Sequence, residues 1–189
     1  MDNKKNLTEI RVEIDKIDNK ITELLKQRSQ LIPHVAEIKH NWQQKIAFKR
    51  EMEQKEAIDN TRDFGLYNKL AMQKIWRELI SATLKIECNL AVGIFAPQED
   101  IYNFWELTKD HFGVSANLIL YKTLEELLMA IESKKINCGV VAEGDVKNLT
   151  NKNKDIVFHL TLPQADFLTL AKAQNNNNKK AFVVGLVNL

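Results

Sequence analysis

The stretch IRVEIDKIDNKITELLKQRSQLIPHVAEIKHNW, from Ile10 to Trp42, decides the fold of the first half of the chain. Ile10, Ile14, Ile17, Ile21, Leu24, Leu31, Val35, Ile38 and Trp42, with Arg28 in the same series, recur at alternating steps of four and three. That is the spacing of a helix face that packs on another helix, and it predicts one helix of about nine turns. Pro33 is its one defect: a proline removes a ladder hydrogen bond and costs about 3 kcal/mol in a helix interior, so a kink is expected there. Downstream, a polar helix is predicted over Phe48 to Arg62, stopping before Gly65. A third follows from Leu66 to about Cys88, with Leu70, Trp76, Leu79, Ile80, Thr83 and Ile86 on its apolar side. Two shorter helices cannot cover so long a stripe, so a homodimer is expected to bury it.

After Asn89 the period changes. Leu90 to Phe95, Asn117 to Tyr121 and Asn137 to Ala142 read as strands, separated by helices over Glu99 to Phe112 and Thr123 to Lys134. Thr123 and Glu126 have the spacing of a capping box. Such alternation implies a parallel, right-handed βαβαβ unit. Ile156 to Leu160 and Ala181 to Val187 could add strands, with the polar run Gln174 to Lys180 between them. The fold class is therefore α plus α/β, a three-helix region over residues 1–88 and a small parallel-sheet domain over 89–189.

Composition narrows the function. The 189 residues are 44% hydrophobic and 28% charged, with six Gly and three Pro, as expected of a helix-rich globular chain. No apolar run approaches the roughly 20 residues of a membrane span, and the N-terminus carries no apolar leader, so a cytoplasmic protein is expected. Two cysteines, Cys88 and Cys138, and no histidine pair at ligand spacing argue against a metal. The net charge of +2 is too small to mark a nucleic-acid surface. Yet all five arginines (Arg11, Arg28, Arg50, Arg62 and Arg77) lie in the helical half, and lysine alone serves the rest. Arginine is the residue of choice where a planar, bidentate donor is needed.

Arg28 and Lys39 are eleven residues apart, which brings them to within roughly 20° on one helix face. Arg11, seventeen residues before Arg28, points about 50 to 100° off that face and is expected to serve a different site from its own Arg28. Thr83 and Glu87, at i and i+4, put a hydroxyl and a carboxyl on one inward side of the third helix. Arg50-Glu51 opens the second helix. Cations inside a bundle are costly unless paired, and a dianionic ligand would pair them.

The run Leu7-Thr8-Glu9-Ile10-Arg11 with Ile14-Asp15-Lys16-Ile17-Asp18, then Leu24-Leu25-Lys26-Gln27-Arg28, Lys39, Arg50-Glu51, and Ile75-Trp76-Arg77-Glu78-Leu79-Ile80 through Thr83 to Glu87 resembles the all-helical chorismate mutases. The resemblance implies an intertwined helical dimer that rearranges chorismate to prephenate without a cofactor. It assigns the substrate carboxylates to Arg28 and to Arg11 of the other subunit, with Thr83 assisting. Lys39 and Glu87 would contact the ether oxygen, where negative charge grows, and Glu87 must carry a proton to donate there. Glu51 would take the ring hydroxyl, and Arg50 would line the pocket. Ala47 stands where many members have an aspartate, and Glu87 where many have glutamine. Two other readings stay open: a catalytically weak mutase-like module for dimerisation or regulation, and a relative of isochorismate pyruvate-lyase.

Leu90-Ala91-Val92-Gly93-Ile94-Phe95-Ala96-Pro97, Asp110-His111-Phe112-Gly113 and Cys138-Gly139-Val140-Val141-Ala142 resemble the first lobe of prephenate dehydratase. The dehydratase Thr-Arg-Phe motif is absent from this half; Thr61-Arg62-Asp63-Phe64 lies in the helical half. Glu143-Gly144-Asp145 replaces the expected Glu-Asn-Ser/Thr segment, and about 100 residues do not build two lobes. A degenerate or truncated, non-catalytic domain is expected. His34, His40, His111 and His159 read as surface or capping residues, Cys88 as inert, and Trp42, Trp76 and Trp105 as packing.

Overall fold

The computed structural model describes residues 6–39, 64–153, 155–162 and 180–186. Helix α1 (Leu7–Ile38) starts from a capping box: Asn6 Oδ1 accepts the Glu9 N–H at 3.0 Å and Glu9 Oε2 accepts the Asn6 N–H at 2.9 Å. It runs through Pro33 and stops four residues short of Trp42, at an extended Lys39. Every residue from Asn6 to Gln27 is exposed, including the stripe positions Ile14 (50%), Ile17 (56%) and Leu24 (63%). Ile32 is the buried residue of this helix.

Helix α2 (Lys69–Cys88) begins three residues later than expected, because Asn68 caps it through the Leu70 N–H at 2.8 Å. Its buried residues are Gln73, Arg77, Ser81, Leu84 and Glu87, whereas the expected face residue Ile86 is 50% exposed. Leu70, Trp76, Leu79, Ile80 and Thr83 of that face are half-buried, and the helix buries polar side chains as well, as it can where partners meet them. The helix predicted over Phe48 to Arg62 lies outside the described residues, as do Trp42, Ala47, Arg50 and Glu51.

The second half comprises β1 (Ala91–Ile94), a 3₁₀ turn at Gln98–Asp100, α3 (Ile101–Phe112), β2 (Asn117–Leu120), α4 (Leu124–Glu132), β3 (Cys138–Ala142), α5 (Glu143–Lys152), β4 (Ile156–Leu162) and β5 (Ala181–Leu186). The sheet order is β2-β1-β3-β5-β4. β1 pairs in parallel with β2 and β3, as the alternation predicts. β5 lies antiparallel between β3 and β4, so the sheet is mixed. The capping box at α4 is offset by one residue: Thr123 Oγ1 accepts the Glu126 N–H at 3.1 Å, but Glu126 Oε2 takes the N–H of Lys122. Helix α5 was not legible, since Gly144, Asn148 and Asn151 are poor helix formers; burial of Leu149 to 0% exposure holds it on the sheet.

Side chains alternate across the sheet into two cores. One joins Val92, Ile94, Val140 and Val183 to Phe104, Leu107 and Phe112 of α3 and to Leu84 of α2. The other joins Val141, Ile156 and Val184 to Leu127, Ile131 and Leu149. Both faces being covered explains the near-continuous apolar strands. It also links the halves, since α2 contributes to the first core and only Asn89 and Leu90 separate it from β1.

The β4–β5 register slips between Phe158 and Leu160, leaving His159 as the extra residue of a bulge. A Cβ on Gly185 would come within 2.9 Å of His159 Nε2, so glycine makes room for this ring. Burial lowers the imidazole pKa below its ordinary value. A folded pKa below the unfolded one stabilises the fold fully above the unfolded value, near 6.5, and that stabilisation is lost as pH falls from there through the folded value. The melting temperature is therefore expected to drop on acidification below about pH 6.5, more steeply in the wild type than in His159→Gln. Equal slopes in melts at matched pH would remove His159 as a source of the dependence.

Candidate active site

Two polar contacts join α1 to α2. Arg28 Nη1 donates to Thr83 Oγ1 at 2.7 Å, and Lys39 Nζ donates to Glu87 Oε2 at 2.7 Å. Between the two cations Ile32 is buried and Ala36 half-buried, so the line 28-32-36-39 is the face that α1 turns to α2. The eleven-residue spacing thus puts Arg28 and Lys39 on one side, as the sequence predicts. Thr83 and Glu87 meet them one turn apart on α2.

The chemistry of each group follows from its bonds. The Thr83 hydroxyl gives its proton to the Leu79 carbonyl at 2.7 Å, so its oxygen is an acceptor for Arg28. A guanidinium has five N–H donors, so that one contact leaves Arg28 capacity for an anion. The Lys39–Glu87 pair is close, and its carboxylate side chain is only 5% exposed. Burial of that degree strengthens an ion pair's attraction and raises its desolvation cost. An anion entering between Arg28 and Lys39 would meet two cations aimed from one helix face.

Arg11 is exposed and is not brought to this cluster within the chain; it lies about 25 Å from Arg28 along α1. Arg50 and Glu51 lie outside the described residues. The polar stripe Gln73, Arg77, Ser81 was missed as a buried feature, although its i, i+4, i+8 spacing is visible in the sequence. Burial lowers the Arg77 pKa to about 10, with the Glu78 carboxylate opposing the shift.

His111 is 5% exposed and sits edge-on to Phe112, a core residue rather than a surface one. His34 is exposed beside Glu37. Burial, with Cys88 nearby, raises the Cys138 thiol pKa, which opposes nucleophilic reactivity. Cys88 Sγ donates to the Leu84 carbonyl, and Trp105 packs against the first core. Among the described residues no His, Cys, Asp or Glu cluster could hold a metal ion, and no helix is long and apolar enough to cross a membrane.

An arginine on one long helix and a lysine at its C-cap, facing a hydroxyl and a carboxylate on a second helix that is joined to a mixed α/β sheet, define a two-part protein with a cationic helical site. Over residues 10–88 the chain matches the family described as chorismate mutase type II. The bifunctional chorismate mutase/prephenate dehydratase of Aquifex aeolicus (strain VF5) is 30% identical over 155 residues, covering 79% of this chain and 42% of that protein. The match therefore runs past the helical segment into the α/β half, and the chain spans less than half the length of that curated relative. No solved structure matches significantly.

Proposed function

We propose that this protein is a chorismate mutase, rearranging chorismate to prephenate in aromatic amino acid biosynthesis. The observation that carries the reading is the pairing of Arg28 with Thr83 and of Lys39 with Glu87 inside the segment of mutase family. A unimolecular rearrangement offers a protein two levers: holding the reactive conformer and stabilising charge that develops in the transition state. Arg28 would hold a carboxylate of the substrate. Lys39 and Glu87 would meet the ether oxygen as its bond to carbon breaks. Arg50 and Glu51 would complete the pocket, Glu51 at the ring hydroxyl. No cofactor is needed for this chemistry.

The substrate is a dianion, and the second cation is proposed to be Arg11 of a partner copy. The exposed stripe Ile10, Ile14, Ile17, Ile21 and Leu24 supports a homodimer. The part of α1 before Arg28 spans about 30 Å with every residue in solvent. Isolated helices are marginal in water, and their stability comes mostly from packing an amphipathic face. A second α1 crossing the first would supply that packing and carry its Arg11 to this chain's Arg28.

The α/β half is proposed to be non-catalytic, because the dehydratase motifs are missing from its sequence, and the whole protein is proposed to be cytoplasmic. Incubation of the full chain with chorismate, followed by proton NMR, tests the mutase reading and the non-catalytic reading of the α/β half. Prephenate should accumulate as chorismate disappears. Enzyme-dependent phenylpyruvate at neutral pH would overturn the non-catalytic reading, and unchanged chorismate would overturn the mutase.

A further inference from the structure

Helix α2 serves both halves at once. Ser81, Leu84 and Cys88 share one side, and Thr83 and Glu87 lie roughly 110° around the helix. On the first side, the turn after α3 is pinned by two successive backbone donors: Val114 N–H to Glu78 Oε2 at 3.0 Å and Ser115 N–H to Ser81 Oγ at 3.2 Å. Gly113 begins that turn at φ +76, and a Cβ there would come within 2.5 Å of Ser81 Cβ and 2.7 Å of Ser81 Oγ. The turn therefore lies hard against α2, and Ser81 is only 1% exposed. Leu84, one turn on, is sealed into the core with Phe104, Leu107 and Phe112.

We propose that Glu78, Ser81 and Gly113 are positioning residues: the α/β half clamps α2 through the 113–115 turn and thereby sets Thr83 and Glu87 opposite Arg28 and Lys39. The inference deepens the proposed mutase reading, on which its activity arm rests. Thr83 lies two residues beyond Ser81 and Glu87 three beyond Leu84. A rotation or slide of α2 against the sheet is thus delivered directly to the two groups that meet the cations of α1. Helices are stiff over one or two turns, and close-packed interiors transmit small displacements instead of absorbing them. A misplacement of about 1 Å in a catalytic constellation can cost on the order of 10²-fold in rate.

The test uses the full chain with Glu78→Ala and Ser81→Ala combined, Gly113→Ala as the harsher variant, and Glu78→Gln as the conservative one that keeps an acceptor oxygen. Two readouts are taken on folded protein of wild-type oligomeric state: hydrogen exchange of the amides of residues 83–88, and kcat and KM for chorismate. In the double variant exchange should rise in 83–88 while α4 and β3 keep wild-type rates, and kcat/KM should fall about tenfold or more, with Glu78→Gln close to wild type on both. Wild-type exchange at 83–88 in the double variant would overturn the proposal. So would raised exchange with unchanged kcat and KM, which would make the clamp merely structural. If the wild-type chain lacks mutase activity, the proposed function fails on its own, and the exchange arm alone then decides whether the clamp holds Thr83 and Glu87.

Discussion

Lys39→Ala is expected to lower kcat for chorismate by about 10²–10³-fold, with KM changing far less. The ammonium would act where negative charge grows in the transition state, and removing one such donor typically costs about 3–4 kcal/mol. A second cost is structural, because the variant leaves the nearly buried Glu87 carboxylate without the 2.7 Å contact. Losing one partner of a buried pair destabilises by roughly 3–5 kcal/mol. Lys39→Ala with Glu87→Gln separates the two effects: stability should return while kcat stays low. Glu87→Gln alone keeps a donor of the same shape without the charge that would repel the breaking ether bond. It should keep or raise turnover. Steady-state kcat of the variant beside the wild type checks this, and a kcat well below wild type would contradict it.

Ile17→Asp combined with Ile21→Asp should convert the protein to a monomer in sedimentation velocity and lower mutase activity by more than about 10²-fold. Each isoleucine is worth roughly 1.5–3 kcal/mol when fully buried, and in a symmetric dimer every substitution occurs twice. Both residues are half-exposed in the chain described here and lie more than one turn from Arg28, so the variant leaves the Arg28–Thr83 and Lys39–Glu87 contacts in place. Loss of activity would then report loss of the partner's contribution. A doubly substituted protein that stays dimeric and active would show that the stripe is not the interface.

Much of this was legible from the sequence because it depends on periodicity. The four-and-three spacing of α1 defines a helix whatever packs on it, and the angle between Arg28 and Lys39 is a property of the helix alone. The βαβαβ alternation likewise specifies parallel neighbours for β1, β2 and β3. What was not legible depends on tertiary partners. The antiparallel entry of β5 between β3 and β4 leaves no mark in the strand's own residues, and α5 has too many helix-poor residues to declare itself before Leu149 is buried. The face of α2 was read as apolar with Thr83 and Glu87 inward, and the burial of Ser81 was not foreseen because an N–H of the 113–115 turn meets it. Gly113 has the same signature whether it ends a helix in open solvent or lies against another, and only the structure shows the 2.5 Å approach to Ser81.

The claim at the centre of this account is a site assembled from two chains, and subunit mixing tests it most directly. Arg11→Ala and Arg28→Ala proteins, each expected to be nearly inactive, are combined in equal amounts, allowed to exchange subunits, and assayed for prephenate formation. In a heterodimer one site keeps both arginines and the other loses both, and random exchange makes half of the dimers mixed, so about a quarter of the wild-type activity should return. Activity that stays at the level of the separate variants after exchange is verified would contradict the shared site.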